Sequence, residues 1–214
     1  MQQLRIIMAD DHALVAEGIR RLIERDYEIT AVVGDGRAAV ESAGRLKPDV
    51  ILLDIAMPLL NGIEAARQIR DLDIPTKVIF VTMQTDRDYI RVAFRAGASG
   101  YVLKQAAPSE LTDAIRTVVA GGLYLSPSIA PRGPQELFSA PGEVSDRFVV
   151  PLTPRQREVL QLIAEGKSAK EIAHVLAISP KTVEFHKAGI MDVLGLRTTA
   201  ELTRYAMERG IICR

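Results

Sequence analysis

Cysteine is nearly absent from the sequence, and long apolar segments are absent altogether. Cys213 is the one cysteine among 214 residues, so no intrachain disulfide can form and a reducing compartment is indicated. The first residues contain no apolar signal core, and no later run approaches the ~20 residues that a membrane-spanning helix needs. These absences exclude disulfide-stabilised secreted domains and membrane proteins, and they predict a soluble cytoplasmic protein.

Net charge is also missing, because 27 lysines and arginines balance 27 aspartates and glutamates. The charges are unevenly placed: residues 1–124 have 15 basic against 17 acidic side chains, and residues 151–214 have 10 against 7. The basic surplus at the C-terminal end permits nucleic-acid binding without establishing it. A chain of this length, with 48% hydrophobic residues, can form one large or two small domains, each with a core.

What the sequence does contain is an alternation of short apolar runs and helical patterns. The run Val50–Leu53 is too short for a membrane span and is typical of a strand buried on both faces. The predicted strands are residues 4–9, 29–33, 50–53, 77–81 and 99–103, and the predicted helices are residues 13–23, 36–46, 62–70, 87–95 and 108–119. Five strand–helix alternations predict an α/β domain with a five-stranded, doubly wound parallel sheet.

Residues 124–149 break this rhythm, because prolines and glycines stand there among serine and alanine. This composition is typical of an extended linker. From residue 150 onward the pattern is purely helical, with a fourth helix over residues 200–209. The predicted caps of the first three helices are Thr153, Ser168 and Ser179. Two short helices joined by a tight turn predict a small all-α, four-helix domain of the helix-turn-helix type.

Polar and charged side chains follow the ends of four predicted strands. They are Asp10, Asp11, Asp54, Thr82 and Lys104. Because the carboxyl ends of parallel strands meet at one edge of a sheet, these side chains are expected to form one pocket. Crowded carboxylates repel one another, and Mg²⁺ relieves this because it prefers hard oxygen ligands. A carboxylate beside Mg²⁺, a lysine and a threonine is equipped for in-line attack on phosphorus.

Each of these positions has a simpler explanation when it is taken alone. Asp54 at the end of a strand can be the cap of the next helix. His12 stands beside two carboxylates, but an Mg²⁺ site favours oxygen, so we interpret it as a residue that starts a helix. Tyr101 by itself is typical of a half-buried aromatic residue in a strand.

Taken together, these residues resemble the receiver domain of two-component response regulators. The matching features are the Asp10-Asp11 pair, Asp54 in Asp-x-x-Met-Pro with Gly62 after it, Thr82, and Lys104 preceded by Gly-Tyr-Val-Leu. The resemblance implies a flavodoxin-like, CheY-like receiver over residues 1–123. It further implies that Asp54 accepts a phosphoryl group from a histidine kinase.

The same resemblance implies roles for the neighbouring residues. Mg²⁺ would be held by Asp10, Asp11, Asp54 and the backbone carbonyl of Ala56. Thr82 and Lys104 would bind the phosphoryl oxygens, and Tyr101 would be the aromatic switch that turns inward with Thr82. The chain departs from the family at two places: Gln105 follows the lysine where many receivers have a proline in a cis bond, and Met83 follows the threonine where many have a small residue.

Residues 150–214 resemble the four-helix DNA-binding domain of LuxR-type regulators. The residues that carry this resemblance are 152–160, 166–173, Ile178, Ser179, Thr182, Val183, His186, Ile190 and 194–196. The order of receiver, linker and LuxR-type domain is that of the NarL/FixJ class of response regulators. This class implies a phosphoprotein of a phosphorelay, which binds double-stranded DNA, regulates transcription and forms a homodimer when phosphorylated.

The third helix of this domain has an outward face that is expected to enter the major groove. Its candidate DNA-binding residues are Lys181, Thr182, Glu184, Phe185, Lys187, Ala188 and Met191. Glu184 stands where the family usually has a lysine, and a glutamate can accept a hydrogen bond from cytosine but repels phosphate. Glu184 can instead pair with Lys181 or Lys187 on a solvated face. Gly189, inside the helix, indicates close approach to DNA or to a neighbouring helix.

The sequence therefore predicts a cytoplasmic response regulator that is not an enzyme in the usual sense. One rival is an aspartyl-phosphate phosphohydrolase, but such enzymes have a second aspartate two residues after the nucleophile, where Ala56 stands here. A second rival is a DNA-binding protein whose receiver only dimerises and is never phosphorylated. The complete acidic site argues against this second rival.

Overall fold

The computed structural model describes residues 3–106, 108–131, 133–135 and 151–212, and a parallel β-sheet organises the first of its two regions. The strands are β1 (Arg5–Ala9), β2 (Glu28–Val33), β3 (Val50–Leu53), β4 (Lys77–Thr82), β5 (Ala98–Leu103) and β6 (Tyr124–Leu125). They lie in the order β2-β1-β3-β4-β5-β6, and all neighbouring strands are parallel. The chain changes direction across the sheet between β1 and β3, which leaves a crevice at their carboxyl ends.

Apolar side chains alternate between the two faces of the sheet, as the two-residue period of a strand requires. On β1, Ile7 and Ala9 belong to the core on one face, whereas Ile6 and Met8 belong to the core on the other. All residues of β3 are buried, which explains why its sequence is continuously apolar instead of alternating.

Helices cover both faces, as the alternating pattern predicted. They are α1 (Ala13–Ile23), α2 (Gly36–Leu46), α3 (Gly62–Asp71), α4 (Arg87–Arg95) and α5 (Pro108–Val119). The side chains of Asp35, Asn61 and Asp86 accept hydrogen bonds from amides in the first turns of α2, α3 and α4. Each cap satisfies a donor that the helix cannot satisfy itself, so these polar residues fix where the helices begin.

The sheet has six strands within the described residues, so the prediction of five strands was wrong. β6 pairs with β5 with Tyr124 opposite Gly100, and the amide of Ser126 donates to the carbonyl of Tyr101 over 2.9 Å. A strand of two residues is too short to show the alternation by which strands are recognised. It begins the stretch that was predicted as linker, and residues 136–150 of that stretch lie outside the described part of the chain.

The second region is helical, as predicted. Its helices are α6 (Pro154–Ala164), α7 (Ala169–Leu176), α8 (Pro180–Leu194) and α9 (Thr199–Glu208). Capping boxes begin α6 at Thr153, α7 at Ser168 and α9 at Thr198. The short turn of residues 177–179 joins α7 to α8, which gives the helix-turn-helix arrangement. None of the described helices is both long enough and apolar enough to cross a membrane.

Buried polar groups join the helical region to the α/β region. The hydrogen-bonded pairs include Asn61 with Gln161, Glu64 with Arg157, Gln68 with Glu158, and Tyr89 with Gly210. Glu64 is only 3% exposed, and its carboxylate lies 2.7 Å from Arg157 and 2.8 Å from Arg67. A buried charge of this kind is tolerated because it is paired and hydrogen-bonded, so the contact has a defined geometry.

Candidate functional site

Three carboxylates meet at the carboxyl edge of the sheet. Asp10 and Asp11 follow β1 directly, and Asp54 follows β3. One ligand atom from each of them and from His12 lies within 4.8 Å of the others. The structure thus brings the predicted acidic residues together, because β1 and β3 are paired in register and end at the same level.

Lys104 connects two of these carboxylates. Its Nζ lies 2.8 Å from Oδ2 of Asp10 and 2.8 Å from Oδ2 of Asp54. Burial favours the neutral amine, but the hydrogen bonds to Asp10 and Asp54 outweigh it and raise the pKa of Lys104 above its ordinary value. The side chain is therefore a fixed positive charge that points into the site.

Asp54 is enclosed, with 3% of its surface exposed. Its Oδ1 accepts a hydrogen bond from the amide of Ile55 at 2.7 Å. Burial raises the pKa of the Asp54 carboxyl, Lys104 opposes that rise, and repulsion from Asp10 adds to it. One ammonium group therefore does not fully compensate the negative charge of the site.

The donor set fits a hard divalent cation. The oxygens of Asp10, Asp11 and Asp54 are the ligand type that Mg²⁺ prefers, and Asp11 is exposed, which leaves the site open to solvent. Ala56 lines a cavity of about 320 Å³ together with Asp11. His12 is the N-cap residue of α1, and its ring nitrogen lies 2.8 Å from Asp11.

Thr82 and Tyr101 are buried beside this site and share a partner. Thr82, at the end of β4, is 2% exposed, and its hydroxyl accepts a hydrogen bond from the amide of Gln84 at 3.3 Å. The Tyr101 hydroxyl donates to the carbonyl of Gln84 at 3.0 Å. The tyrosine ring is fully buried, so it already occupies an inward position, which the resemblance assigned to the phosphorylated state.

The two departures from the receiver pattern leave the site intact. The side chain of Met83 is 57% exposed. The peptide bond between Lys104 and Gln105 is trans. The amide of Lys104 donates to the carbonyl of Thr82 at 2.9 Å, which ties the lysine to the end of β4.

Helix α8 has one buried side and one exposed side. Val183 and Ile190 are buried in the core of the helical region. Of the predicted DNA-binding residues, Lys181, Glu184, Phe185 and Ala188 are exposed, and Thr182, Lys187 and Met191 are half-buried. Phe185 is 76% exposed, so its ring is accessible on the outward face of the helix.

Packing explains two features of α8. A Cβ atom at Gly189 would lie 3.3 Å from Nε2 of Gln156, so the neighbour that approaches this glycine is helix α6. Ile190 is buried in the core of the helical region, and Met191 and Leu194 pack against that core. Val193, in the same stretch of the helix, is exposed.

Sequence reasoning missed the polar residues that join the two regions. Gln161 lies between two leucines of α6 and is buried, and a buried amide among apolar residues was the available signal. Asn61 caps α3, and its amide and side chain both donate to Gln161. No spacing rule connects residues that are 100 positions apart.

Two protein-family models match this chain. Residues 6–116 match the response regulator receiver domain, and this range contains every one of the strand-end residues described above. Residues 150–206 match the bacterial regulatory proteins of the luxR family, and this range contains α6 to α8 and most of α9.

Proteins of similar sequence extend over both regions. The transcriptional regulatory protein MctR of Rhizobium johnstonii is 36% identical over 215 residues, which cover 99% of this chain and 97% of that protein. The oxygen regulatory protein NreC of Staphylococcus aureus is 38% identical, with coverage of 98% and 99%. A solved structure of two RcsB dimers bound to two parallel DNAs has a TM-score of 0.59 at 27% identity, with coverage of 97% and 99%.

Proposed function

Because the chain belongs to the response regulators that join a receiver domain to a LuxR-type DNA-binding domain, we propose that phosphorylation of Asp54 controls its binding to DNA. Residues 1–123 act as the receiver together with β6, which pairs with its sheet. The rest of residues 124–149 acts as the linker, and residues 150–214 act as the DNA-binding domain. The matched ranges 6–116 and 150–206 lie within these bounds.

Asp54 is the proposed phosphoacceptor, and a histidine kinase is the proposed donor. A carboxylate oxygen of Asp54 forms the new O–P bond as the P–N bond of phosphohistidine breaks, and the released imidazole keeps the electron pair and takes up a proton. The amide of Ile55 fixes the carboxylate through Oδ1. The ammonium of Lys104 and the hydroxyl of Thr82 are placed to bind the phosphoryl oxygens.

Four groups of this chain would hold Mg²⁺: the carboxylates of Asp10, Asp11 and Asp54 and the backbone carbonyl of Ala56. When bound, Mg²⁺ supplies positive charge that offsets the charge of the phosphoryl oxygens. The geometry supports this assignment, because carboxylate oxygens of Asp10, Asp11 and Asp54 lie within 4.8 Å of one another.

The signal would leave the site through Thr82 and Tyr101. As Thr82 turns toward the phosphoryl group, its hydroxyl loses the contact with the amide of Gln84. The carbonyl of Gln84 also accepts a hydrogen bond from the hydroxyl of Tyr101. The segment after β4 therefore moves with both side chains. Helix α4 follows this segment directly, and its Tyr89 contacts Gly210 of the helical region.

DNA binding is proposed for the exposed face of α8, which enters the major groove. Lysines on this face attract phosphates, while Glu184 and Phe185 reach base edges, where a glutamate accepts from cytosine and an aromatic ring contacts the thymine methyl group. The proposed assembly is a phosphorylated homodimer on duplex DNA, and its DNA target places the activity in the cytoplasm. The RcsB structure, with dimers bound to DNA, supports this arrangement.

The observation that carries the proposal is the meeting of the strand-end residues around Lys104, which lies 2.8 Å from both Asp10 and Asp54. Acetyl phosphate with Mg²⁺ should add one phosphoryl group to the chain, measured by mass spectrometry. Asp54→Asn should take up none, whereas the exposed control Asp71→Asn should react as the wild type does. Undiminished labelling of Asp54→Asn would refute the assignment, and continuous turnover of a phosphate ester would favour the phosphohydrolase.

A further inference from the structure

The loop between β3 and α3 is held by side chains of the helical region that are 100 to 106 residues away in sequence. Oε1 of Gln161 accepts from the amide of Asn61 at 2.8 Å, and its Nε2 donates to the carbonyl of Met57 at 3.0 Å. Oε1 of Glu165 accepts from the amide of Leu59 at 3.0 Å. Three backbone groups of one loop are therefore satisfied from the end of α6.

Leu59 shows that the loop depends on this support. Its φ is 64°, in the left-handed region that residues other than glycine adopt uncommonly. Its side chain packs against the core of the helical region, and its amide is the one that bonds to Glu165. Both of these contacts stabilise a backbone conformation that a leucine does not favour by itself.

Gln161 uses its whole amide group in this contact. It is 1% exposed, its Oε1 also accepts from Nδ2 of Asn61 at 3.1 Å, and its Nε2 also donates to Glu165 at 2.8 Å. A buried amide with all these bonds has one favourable orientation, because turning it would leave several buried groups without partners. The side chain thus sets the positions of the loop atoms that it bonds.

The loop that is held in this way forms part of the acidic site. Ala56 precedes Met57, whose carbonyl is the acceptor for Gln161. Ala56 and Asp11 line the same cavity as Glu165 and Ile211 of the helical region. A shift of the Met57 backbone would therefore redirect the adjacent carbonyl of Ala56.

We propose that Gln161 is a positioning residue for the metal site: it fixes the backbone on either side of Leu59, aims the Ala56 carbonyl, and so makes Mg²⁺ bind more tightly while the two regions are in contact. This inference rests on the proposed function, which assigns Ala56 as a ligand. By linkage, Mg²⁺ at the acidic site stabilises the contact between the regions by the same factor.

Two substitutions of Gln161 test the proposal without changing the charge of the site. Gln161→Met keeps the length and burial of the side chain but removes its hydrogen bonds, and Gln161→Ala removes the side chain. The control is Tyr89→Phe, which deletes a 2.8 Å hydrogen bond to Gly210 between the same two regions but leaves in place the bonds of Gln161 and Glu165 to the loop backbone. Circular dichroism and thermal unfolding establish that each full-length variant is folded.

Isothermal titration calorimetry with Mg²⁺ gives the deciding quantity, the dissociation constant of each full-length protein. Both Gln161 variants should bind Mg²⁺ roughly three- to tenfold more weakly, which corresponds to the loss of an ordinary hydrogen bond. Tyr89→Phe should bind as the wild type does. Wild-type affinity in the folded Gln161→Met protein would overturn the proposal. So would equal weakening in Tyr89→Phe, because the contact as a whole would then be responsible.

Failure of the proposed function gives different results. At saturating Mg²⁺, Gln161→Met should still accept a phosphoryl group from acetyl phosphate to the wild-type extent, because Asp54 and Lys104 are unchanged. A wild-type chain that binds Mg²⁺ but is not labelled would refute phosphorylation while leaving the positioning role supported by the calorimetry. A wild-type chain that binds no Mg²⁺ would overturn both.

Discussion

Gly62 lies where the start of α3 passes the end of β3, and the space there admits no side chain. A Cβ atom at this position would lie 2.1 Å from the carbonyl oxygen of Asp54 and 2.9 Å from Cα of Ile55. These are backbone atoms of the acidic site, so they cannot turn aside as the end of a flexible side chain can. The glycine is required by close packing, which also places α3 against the acidic site.

Gly62→Ala should therefore destabilise the protein by about 1–3 kcal/mol, as expected for overpacking, and should slow phosphorylation by moving the Asp54 backbone. Gly18→Ala is the matched control, because nothing lies within 4 Å of a Cβ built on this glycine of α1. In the control, the better helix propensity of alanine should raise stability by roughly 0.5–1 kcal/mol. Urea denaturation gives both free energies, and equal values for the two variants would contradict the packing argument.

Glu184 is the residue of α8 for which the sequence left two explanations open. It is exposed on the outward face, so its carboxylate is accessible to a base edge. If Glu184 accepts a hydrogen bond from a cytosine, Glu184→Ala should lose about 1–3 kcal/mol of discrimination at one base position. The affinity of this variant for DNA of other sequences should rise, because a carboxylate that the DNA phosphates repel is removed. Selection of binding sites from random DNA measures this, with Glu208→Ala on α9 as the control. Unchanged base preferences would leave Glu184 as a solvated surface residue.

At the scale of a single helix, α7 depends on its capping box. Hydrogen bonds from the side chain and backbone of Ser168 lower the pKa of Glu171 below its ordinary value of 4.5. Because this pKa is lower in the folded chain than in the unfolded chain, the stabilisation is present above the unfolded value. This stabilisation is lost as the pH falls from the pKa of the unfolded chain through that of the folded chain, because the unfolded state binds more protons than the folded state over this range.

Glu171→Gln should therefore flatten the acid side of the stability profile of the helical region, because the glutamine does not titrate. The measurement is the unfolding temperature between about pH 6 and about pH 3, where the carboxyl gains its proton. Glu28→Gln on β2 is a control at an exposed position that caps no helix. A wild-type profile in Glu171→Gln would show that the capping carboxylate adds no pH dependence.

Elements with a long periodic pattern were predictable, and short or non-local features were not. The strand ends at Asp10, Asp54 and Lys104 could be read from the sequence because parallel strands bring their carboxyl ends together. Strand β6 was not predicted, because two residues are too few to show a periodic pattern. The capping box at Thr198 was not predicted, because a second threonine follows it and either one could begin the helix. The contacts of α6 with the β3–α3 loop had no local signal, since they join side chains to backbone groups far away in sequence.

For the whole molecule, the polar character of the contact between the two regions predicts that this contact can open and close. Its buried groups include the Glu64–Arg157 pair and the amide of Gln161, and polar interfaces within a chain are typical of regions that move relative to each other. Lys181, Glu184 and Phe185 on the outward face of α8 are exposed while this contact is formed. Phosphorylation is therefore expected to act through the arrangement of the domains and their dimerisation, instead of by uncovering α8.

Thr82 is the side chain expected to convert phosphorylation into that rearrangement. Moving an equilibrium from 1:99 to 99:1 requires ~5.5 kcal/mol of differential affinity. Charge-assisted hydrogen bonds contribute roughly 1.5–3 kcal/mol each, so Thr82 and Lys104 together with a bound cation can reach this value. Because Tyr101 is already buried, the change that remains available is the release of Gln84 by Thr82.

Thr82→Ala should therefore accept a phosphoryl group as the wild type does, yet show a smaller increase in dimer fraction and DNA affinity. The missing hydrogen bond should reduce the DNA response by about tenfold, the equivalent of ~1.4 kcal/mol. Light scattering and DNA titration, each with and without phosphodonor, measure the two responses. Thr117→Ala, which removes a hydroxyl on α5 that donates to the carbonyl of Asp113, should respond fully. If phosphorylation raised the dimer fraction and the DNA affinity equally in Thr82→Ala and in the wild type, Thr82 would not be part of the signal path. If the wild type showed no response to the phosphodonor, a receiver that dimerises constitutively would be favoured.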